Sequence, residues 1–166
     1  MAFCGIIITV KKMFSNELVC NILDYINKNI NKEITIDELS SILYFNKTYI
    51  MKRFKKDIGL TIIEYINCIR IFNSLYLYTY NNHIISIAFK SGFNSLEYYS
   101  EIFKKVIGVS PTTYKKYINR NINITKKDIN TILNSIARLN SIIIETEKYI
   151  SNRKPASKMV KKFIFK

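Results

Sequence analysis

The amino-acid sequence predicts an all-α fold, and three observations support this prediction. Only four Gly and two Pro interrupt the 166 residues, which favours long helices over a turn-rich β fold. Hydrophobic residues make up 48% of the chain and recur at helical spacing, so the helices can bury a core. An internal repeat places a helix, a turn and a second helix twice along the chain.

The repeat lies in the middle of the chain. Six residues of its first copy recur 49 positions later, and one of these pairs joins two of the four scarce glycines. The pairs are Tyr49 and Tyr98, Phe54 and Phe103, Lys55 and Lys104, Lys56 and Lys105, Gly59 and Gly108, and Tyr65 and Tyr114. Phe45 recurs as Phe93 at an offset of 48, so the second copy has one additional residue near Asn94. Chance alignment does not account for so many matches in register, and we expect two similar helical units in tandem.

A helix is predicted before the repeat, over residues 16–29, because apolar residues there fall on one side. These residues are Leu18, Ile22, Tyr25 and Ile26. The first unit then begins with a capping box, in which Thr35 is the N-cap and Glu38 follows three residues later. The apolar face of this helix comprises Ile36, Leu39, Ile42 and Leu43, and the turn is predicted at Tyr44–Phe45–Asn46.

The second helix of the first unit is predicted over Lys47–Ile58, with Asn46 as its N-cap and Gly59 as a left-handed C-cap. The residues expected to face inward are Ile50, Phe54 and Ile58. Those expected around the outside are Thr48, Met51, Lys52, Lys55 and Lys56.

A long helix is predicted between the units, because Ile62–Tyr78 contains neither Gly nor Pro. In the second unit, Ile84, Ile87 and Ala88 are expected to face inward, and Gly92 marks a sharp turn.

The next helix is capped by Asn94 or Ser95, runs to about Ile107, and is closed by Gly108. Its expected inward residues are Tyr99, Phe103 and Val106. Ser110 and Pro111 then start another helix, as N-cap and first helical residue.

The charge of the chain indicates a polyanionic partner. The net charge is +14, from 26 Lys and Arg against 12 Asp and Glu. Such an excess favours nucleic acid or an acidic membrane surface as the partner. The three cysteines share no metal-ligand spacing and are typical of reduced thiols. The apolar run Ala2–Val10 is too short to span a bilayer, and we expect a cytoplasmic protein.

The motifs of the second unit resemble the DNA-binding domain of the AraC/XylS family of bacterial regulators. The resemblance is carried by Ile84-x-x-Ile87-Ala88-x-x-x-Gly92-Phe93 and by Tyr98-Tyr99-x-x-x-Phe103-Lys104-Lys105-x-x-Gly108-x-Ser110-Pro111-x-x-Tyr114-Lys115. It extends over Asn16–Ile118 and implies a homeodomain-like fold of about seven helices, with two helix-turn-helix units joined by a linker helix. The chain departs from the family pattern at Ser40, Tyr44, His83 and Glu101.

Three regions are expected on this basis. Residues 1–15 form a short N-terminal segment that leaves no room for the sensor domain usual in the family. Residues 16–120 form the double helix-turn-helix domain. Residues 121–166 comprise a helix, at about 126–150, and a basic tail that adds non-specific affinity for DNA.

The resemblance implies that double-stranded DNA is the partner and that one helix of each unit enters the major groove. The candidates for contacts with bases are Thr48, Met51, Lys52, Leu96, Glu97, Ser100 and Glu101. The candidates for contacts with phosphates are Lys47, Lys55, Lys56, Ser95, Lys104 and Lys105. The acidic second unit either pairs a Glu with cytosine or holds only the DNA backbone, and we favour the second alternative. An activating role, which would involve RNA polymerase, is expected from the family.

The C-terminal helix carries apolar residues at heptad spacing, with Thr125 as a predicted cap and Thr146 as the one break. The heptad positions are Ile129, Ile132, Ile136, Leu139, Ile143 and Ile150. This pattern fits either a homodimer through Ile129–Ile150 or a helix packed on its own domain.

An enzyme is the weakest interpretation. His83 is the only His and is expected to be a surface cap, and the sequence has no Cys/His pair, P-loop or paired carboxylates. No catalytic residue, metal or cofactor is therefore predicted. The alternative function is a basic helical module for a membrane surface or a protein partner.

Overall fold

The computed structural model describes residues 17–80, 82–119 and 125–152, and these residues fold entirely into helices and connecting turns. The N-terminal segment and the basic tail predicted from the sequence lie outside the described residues. The α-helices are α1 (17–29), α2 (Ile36–Leu43), α3 (Lys47–Ile58), α4 (Ile62–Leu77), α5 (Ile84–Lys90), α6 (Leu96–Ile107), α7 (Pro111–Ile118) and α8 (Lys126–Asn152). A short 3₁₀ helix, Tyr78–Tyr80, extends α4. The predicted all-α fold is thus confirmed.

Local hydrogen bonds explain where the helices begin. The Thr35 hydroxyl accepts from the Glu38 amide at 3.1 Å, and the Asn46 side chain accepts from the Thr48 amide at 2.8 Å. The hydroxyls of Ser95 and Ser110 accept in the same way at the starts of α6 and α7. Each bond satisfies one of the amides that an α-helix leaves unpaired at its first turn.

The described residues fall into two compact units. The first comprises residues 17–29, Ile34–Ile62 and residues 144–152. The second comprises Ile30–Glu33 and Ile63–Ile143. α8 therefore contributes its first turns to the second unit and its last turns to the first.

The core of the first unit is formed by apolar residues of α1, α2 and α3 together with Tyr149 of α8. The inward residues predicted for α3 are buried, with exposed fractions of 0%, 0% and 1% for Ile50, Phe54 and Ile58. The other buried residues of this core include Leu18, Val19, Ile22, Leu23, Ile26, Leu39 and Tyr149.

The core of the second unit is aromatic. Phe103 and Tyr114 both pack against Tyr78, with ring centroids 5.8 and 5.0 Å away, and Tyr99 packs against Phe93 at 5.1 Å. The hydroxyls of Tyr78 and Tyr99 share a hydrogen bond of 2.9 Å, which pairs two polar groups inside the core.

Two glycines of the second unit are required by their surroundings. Gly92 has a φ of +86°, and a side chain there would approach the Ile30 carbonyl oxygen to 2.9 Å. Gly108 has a φ of +87°, and a side chain there would overlap Thr131 of α8. Both glycines thus combine a left-handed backbone with a close neighbour.

One detail of the sequence prediction is wrong. Ile42, predicted on the inner face of α2, is 47% exposed, because this short helix packs mainly through Leu39. His83 occupies the N-cap position of α5, but its side chain makes no capping hydrogen bond. Ile84 and Val106, also predicted to face inward, are half-buried.

The buried face of α8 differs from the predicted heptad face. Its buried residues are Ile132, Ser135, Leu139, Ile142, Thr146 and Tyr149, spaced alternately by three and four residues. Only Ile132 and Leu139 of the predicted apolar heptad residues are fully buried, whereas the other four are half-buried. This buried face packs within the chain, and Thr146, predicted as the break, is a buried member of it.

Candidate nucleic-acid interface

The outer face of α3 is positioned by its two ends and its apolar anchors. Asn46 caps the start of the helix, and Gly59, with a φ of +87°, ends it by donating its amide to the Lys55 carbonyl at 3.0 Å. Because the inner residues are buried, the opposite side of α3 must face outward. The predicted residues Thr48, Met51, Lys52, Lys55 and Lys56 are all exposed there.

The charge of α3 is concentrated on this exposed face. The helix contains five basic residues and one acidic residue. The acidic one, Asp57, has a side chain that is only 4% exposed and pairs with Arg53, so it does not share the outer face. The charged residues on the exposed face of α3 are therefore all positive, which suits a run of phosphates.

Lys47, a predicted phosphate contact, already has a partner. Its ammonium pairs with the carboxylate of Asp37 in α2, and the two side chains are 51% and 72% exposed. An ion pair this exposed contributes little to stability, since water and salt screen it. Lys47 thus remains able to exchange Asp37 for an external anion.

α6 presents a different face although it occupies the same place in the repeat. Glu97, Glu101 and Lys104 are exposed and follow one another at helical spacing, so the two carboxylates lie on the outward side. Leu96 and Ser100 are half-buried, and the Ser95 hydroxyl caps the helix by accepting from the Tyr98 amide. The helix contains two acidic and two basic residues, so it has no net charge.

Lys105 lies on the side of α6 that faces the linker helix α4. Its ammonium lowers the pKa of the Cys68 thiol, but burial and the Glu64 carboxylate raise it more strongly, to about 12. Cys68 is thus a buried, protonated thiol with no role as a nucleophile or metal ligand. Lys105 is exposed enough to contact a partner from this position.

The sequence prediction missed an aromatic pair that the two units share. Phe45 stacks on Tyr49 with ring centroids 5.6 Å apart, and the equivalent rings of Phe93 and Tyr98 are 5.9 Å apart. The two tyrosines are 45% and 43% exposed. The repeat could have indicated this shared pair, because all four aromatic residues are among its matched positions.

We also searched the described ranges for metal sites and for membrane-spanning helices. No group of three or more His, Cys, Asp or Glu side chains there could hold a metal ion. No single helix among these residues is long and apolar enough to cross a membrane, although α3 and the extended α4 pass this test as a pair bent by 57°.

Comparison with known proteins agrees with this geometry. Residues 39–117 match a family described as a helix-turn-helix domain. An uncharacterized response regulatory protein of Staphylococcus epidermidis is 32% identical over 103 residues, which are 62% of this chain and 41% of that protein. The transcriptional regulatory protein HptR of Staphylococcus aureus is 32% identical over 106 residues, which are 64% of this chain and 42% of that protein. The chain thus spans about two fifths of the length of these relatives.

Two solved structures are similar as well. The C-terminal domain of AraT, a response regulator from Geobacillus stearothermophilus, has a TM-score of 0.57 at 26% identity and covers 60% of this chain and 84% of that one. A Listeria innocua protein of unknown function has a TM-score of 0.56 at 26% identity, over 58% and 93% of the two chains.

Two capped helix-turn-helix units, one with an outer helix whose exposed charges are all basic, define the class of double helix-turn-helix domains found in DNA-binding transcription regulators. The match of residues 39–117 to a helix-turn-helix family model of the AraC type agrees with the resemblance drawn from the sequence.

Proposed function

We propose that this chain binds a specific sequence in duplex DNA, with α3 and α6 in the major groove, and regulates transcription. The observation that carries the proposal is the exposed face of α3, whose charged residues are all positive because the only acid of the helix is buried. The similarity to proteins named as transcriptional and response regulators supports it.

α3 supplies the contacts that distinguish base pairs. Thr48, Met51 and Lys52 lie in the first half of the helix, which is the part of a recognition helix that reaches base edges. Lys52 can donate to guanine O6 and N7, and Met51 can pack on a thymine methyl group. Lys55 and Lys56, one turn later, neutralise phosphates together with Lys47.

α6 contacts mainly the sugar-phosphate backbone of the DNA. Glu97 and Glu101 are exposed on the face that would approach phosphates, and α6 has no net positive charge to offset them. Of the α6 candidates, Lys104, Lys105 and Ser95 therefore act on phosphates. Leu96, Glu97, Ser100 and Glu101 remain candidates for base contacts, and a Glu can accept from cytosine N4.

An activating role through RNA polymerase stays a prediction. A protein that regulates transcription acts where the chromosome is, which supports a cytoplasmic, nucleoid-associated location. Dimerisation through the Ile129–Ile150 helix stays a prediction as well. The surface left for it on α8 includes Leu133 and Ile144, which are 50% and 48% exposed.

Salt dependence tests the proposed function. Each phosphate that a lysine neutralises steepens the fall of log K with log salt by about 0.9. We expect the double variant Lys55→Ala/Lys104→Ala to make the slope of log K against log salt shallower by about 1 to 2. Fluorescence anisotropy on duplex DNA measures this slope.

The matched control is Lys28→Ala/Lys127→Ala, which removes the same charge from exposed positions of α1 and α8. An equal change of slope in both double variants would remove Lys55 and Lys104 from the interface. Tight binding to anionic vesicles without binding to duplex DNA would favour the membrane-surface alternative and refute the proposal.

A further inference from the structure

The last turn of α3 contains a buried carboxylate. The Asp57 side chain is 4% exposed and follows directly after Lys55 and Lys56, which are exposed on the other side of the helix. A carboxylate in this position is doubly unfavourable, because it loses its hydration and because the C-terminal end of a helix carries partial negative charge. It therefore depends on the groups that pair with it.

Two groups pair with the same oxygen of Asp57. The Arg53 guanidinium, one turn earlier in α3, lies 2.8 Å from Oδ2. The Tyr149 hydroxyl donates to Oδ2 from 3.0 Å, and it comes from α8, 92 residues further along the chain. Hydrogen bonds to ionised groups are stronger than those between neutral groups.

Tyr149 is held in place and remains a donor. Its side chain is only 2% exposed. Burial and the neighbouring charge of Asp57 raise the pKa of the Tyr149 hydroxyl, so it stays protonated well above neutral pH. Since the ring is fixed by packing and the hydroxyl by its bond, α8 ties down the end of α3 that would otherwise fray.

We propose that Tyr149 is a positioning residue for DNA binding: by holding Asp57, it fixes the turn of α3 that presents Lys55 and Lys56 to the phosphates. The inference rests on the proposed function and deepens it. It assigns a role to a helix that lies outside residues 39–117, the segment matched by the helix-turn-helix family.

A double-mutant cycle in the full chain tests the proposal. Tyr149→Phe removes only the hydroxyl, and we expect it to weaken binding to a selected duplex by about tenfold, in line with the loss of a hydrogen bond to a charged group. In a Lys55→Ala/Lys56→Ala background the same change should have less than about a twofold effect, because the contacts that it positions are already absent.

The matched control is Tyr78→Phe, which removes another buried hydroxyl, bonded to Tyr99 in the second unit. A general loss of stability lowers affinity by the same factor in both backgrounds. The loss of affinity caused by Tyr78→Phe should therefore be the same with and without Lys55 and Lys56. Thermal melting of each variant identifies a temperature at which all are folded.

The following results would overturn the inference. If Tyr149→Phe binds DNA as well as the unmodified chain, or loses the same factor in both backgrounds, Tyr149 does not act through these lysines, although the proposed function stands. If the unmodified chain does not bind duplex DNA, both proposals fail. Should Tyr149→Phe not fold, Asp57→Asn tests the same contact from the other side, and equal losses in both backgrounds would again refute the inference.

Discussion

The turn of each helix-turn-helix unit depends on one residue with a left-handed backbone, and the two units use different residues. In the first it is Tyr44, with a φ of 57° and a side chain that is 94% exposed. In the second it is Gly92, where a side chain would meet the Ile30 carbonyl oxygen and the Arg70 Nε at 2.9 and 3.0 Å. The conformation disfavours any residue with a Cβ, so Tyr44 is strained while Gly92 is not.

We expect Tyr44→Gly to raise the free energy of unfolding by about 0.5 kcal/mol, since relief of roughly 1 kcal/mol of strain exceeds the entropy that Gly loses on folding. Gly92→Ala should lower it by about 2 kcal/mol or more, because strain and a backbone collision act together. Urea unfolding measures both changes.

Tyr44→Ala is the control, because Ala keeps the Cβ and should give no gain. A loss of stability in Tyr44→Gly as large as that in Gly92→Ala would show that the Tyr44 side chain makes contacts that outweigh its strain.

The sequence predicted those contacts of single residues that involve neighbours a few positions away in the chain. The caps at Thr35, Asn46 and Ser110 depend on groups two or three residues apart, so the sequence alone identifies them. The bond from Tyr149 to Asp57 joins residues 92 positions apart and has no local signature. The Phe45–Tyr49 stack was visible in the repeat as matched positions, but not as a contact.

At the scale of elements, α3 and α6 are equivalent in the repeat and opposite in electrostatic character. Lys52 of α3 corresponds to Glu101 of α6 at the repeat offset of 49. Both residues are exposed on the outer side of their helices. The same fold thus places an ammonium in one unit and a carboxylate in the other at the position that we propose to face a bound duplex.

We expect Lys52→Ala to relax the preference for a base pair at a cost of about 1–3 kcal/mol, if this lysine meets a guanine. Glu101→Ala should strengthen binding with little change of preferred sequence, because it removes a charge that phosphates repel. Selection from a random duplex library, followed by titration of each variant, measures both effects.

Weaker binding by Glu101→Ala, with the loss of preference at one base pair, would show that Glu101 pairs with cytosine. In that case α6 contributes to sequence recognition, and the backbone-only role assigned to it is wrong.

The sequence predicted α8 as a helix but not which residues it buries. Apolar residues spaced by three and four occur both in dimeric coiled coils and in helices packed within one chain, so spacing alone leaves the partner open. The buried face passes through Ser135 and Thr146, which a search for apolar positions excludes. Which residues α8 buries depends on the shape of its partners, which the sequence of α8 does not contain.

At the scale of the whole molecule, the buried phenols of the second unit link stability to pH. Burial raises the pKa of Tyr78, Tyr99 and Tyr114, in the last case to about 12. Phenols of an unfolded chain ionise near pH 10. The stability due to these buried phenols is complete below pH 10 and is lost as the pH rises toward the raised pKa of each phenol, which for Tyr114 is about 12, because only the unfolded state gains from ionisation in that interval.

We therefore expect the melting temperature to fall steeply above pH 10, with a shallower fall in Tyr78→Phe, which has one such phenol fewer. Circular dichroism and tyrosinate absorbance, recorded together, follow unfolding and ionisation. Tyr44→Phe is the control, since a side chain 94% exposed should leave the curve unchanged. Tyrosinate that forms near pH 10 while the helical signal persists would contradict the prediction.

Within the described residues, prediction at this scale reached the order of the helices but not the distant segments that complete each unit. The repeat indicated two units that follow each other along the chain, and α2 and α3 do lie in one unit and α5 and α6 in the other. In addition, Ile30–Glu33, which precede α2, belong to the second unit, and residues 144–152 of α8 belong to the first. Arg70 illustrates the cause, because its guanidinium donates to the Ile30 carbonyl across 40 residues.

The bond between Tyr149 and Asp57 has a consequence for synthesis on the ribosome. Chains emerge from the N-terminus and often fold in that order. Here the second unit is complete once Ile143 has emerged, whereas the first still awaits the residues from Ile144 onward. The helix-turn-helix unit that is translated first is thus the last to be finished, because Asp57 of α3 cannot receive its bond from Tyr149 until this part of α8 has left the exit tunnel.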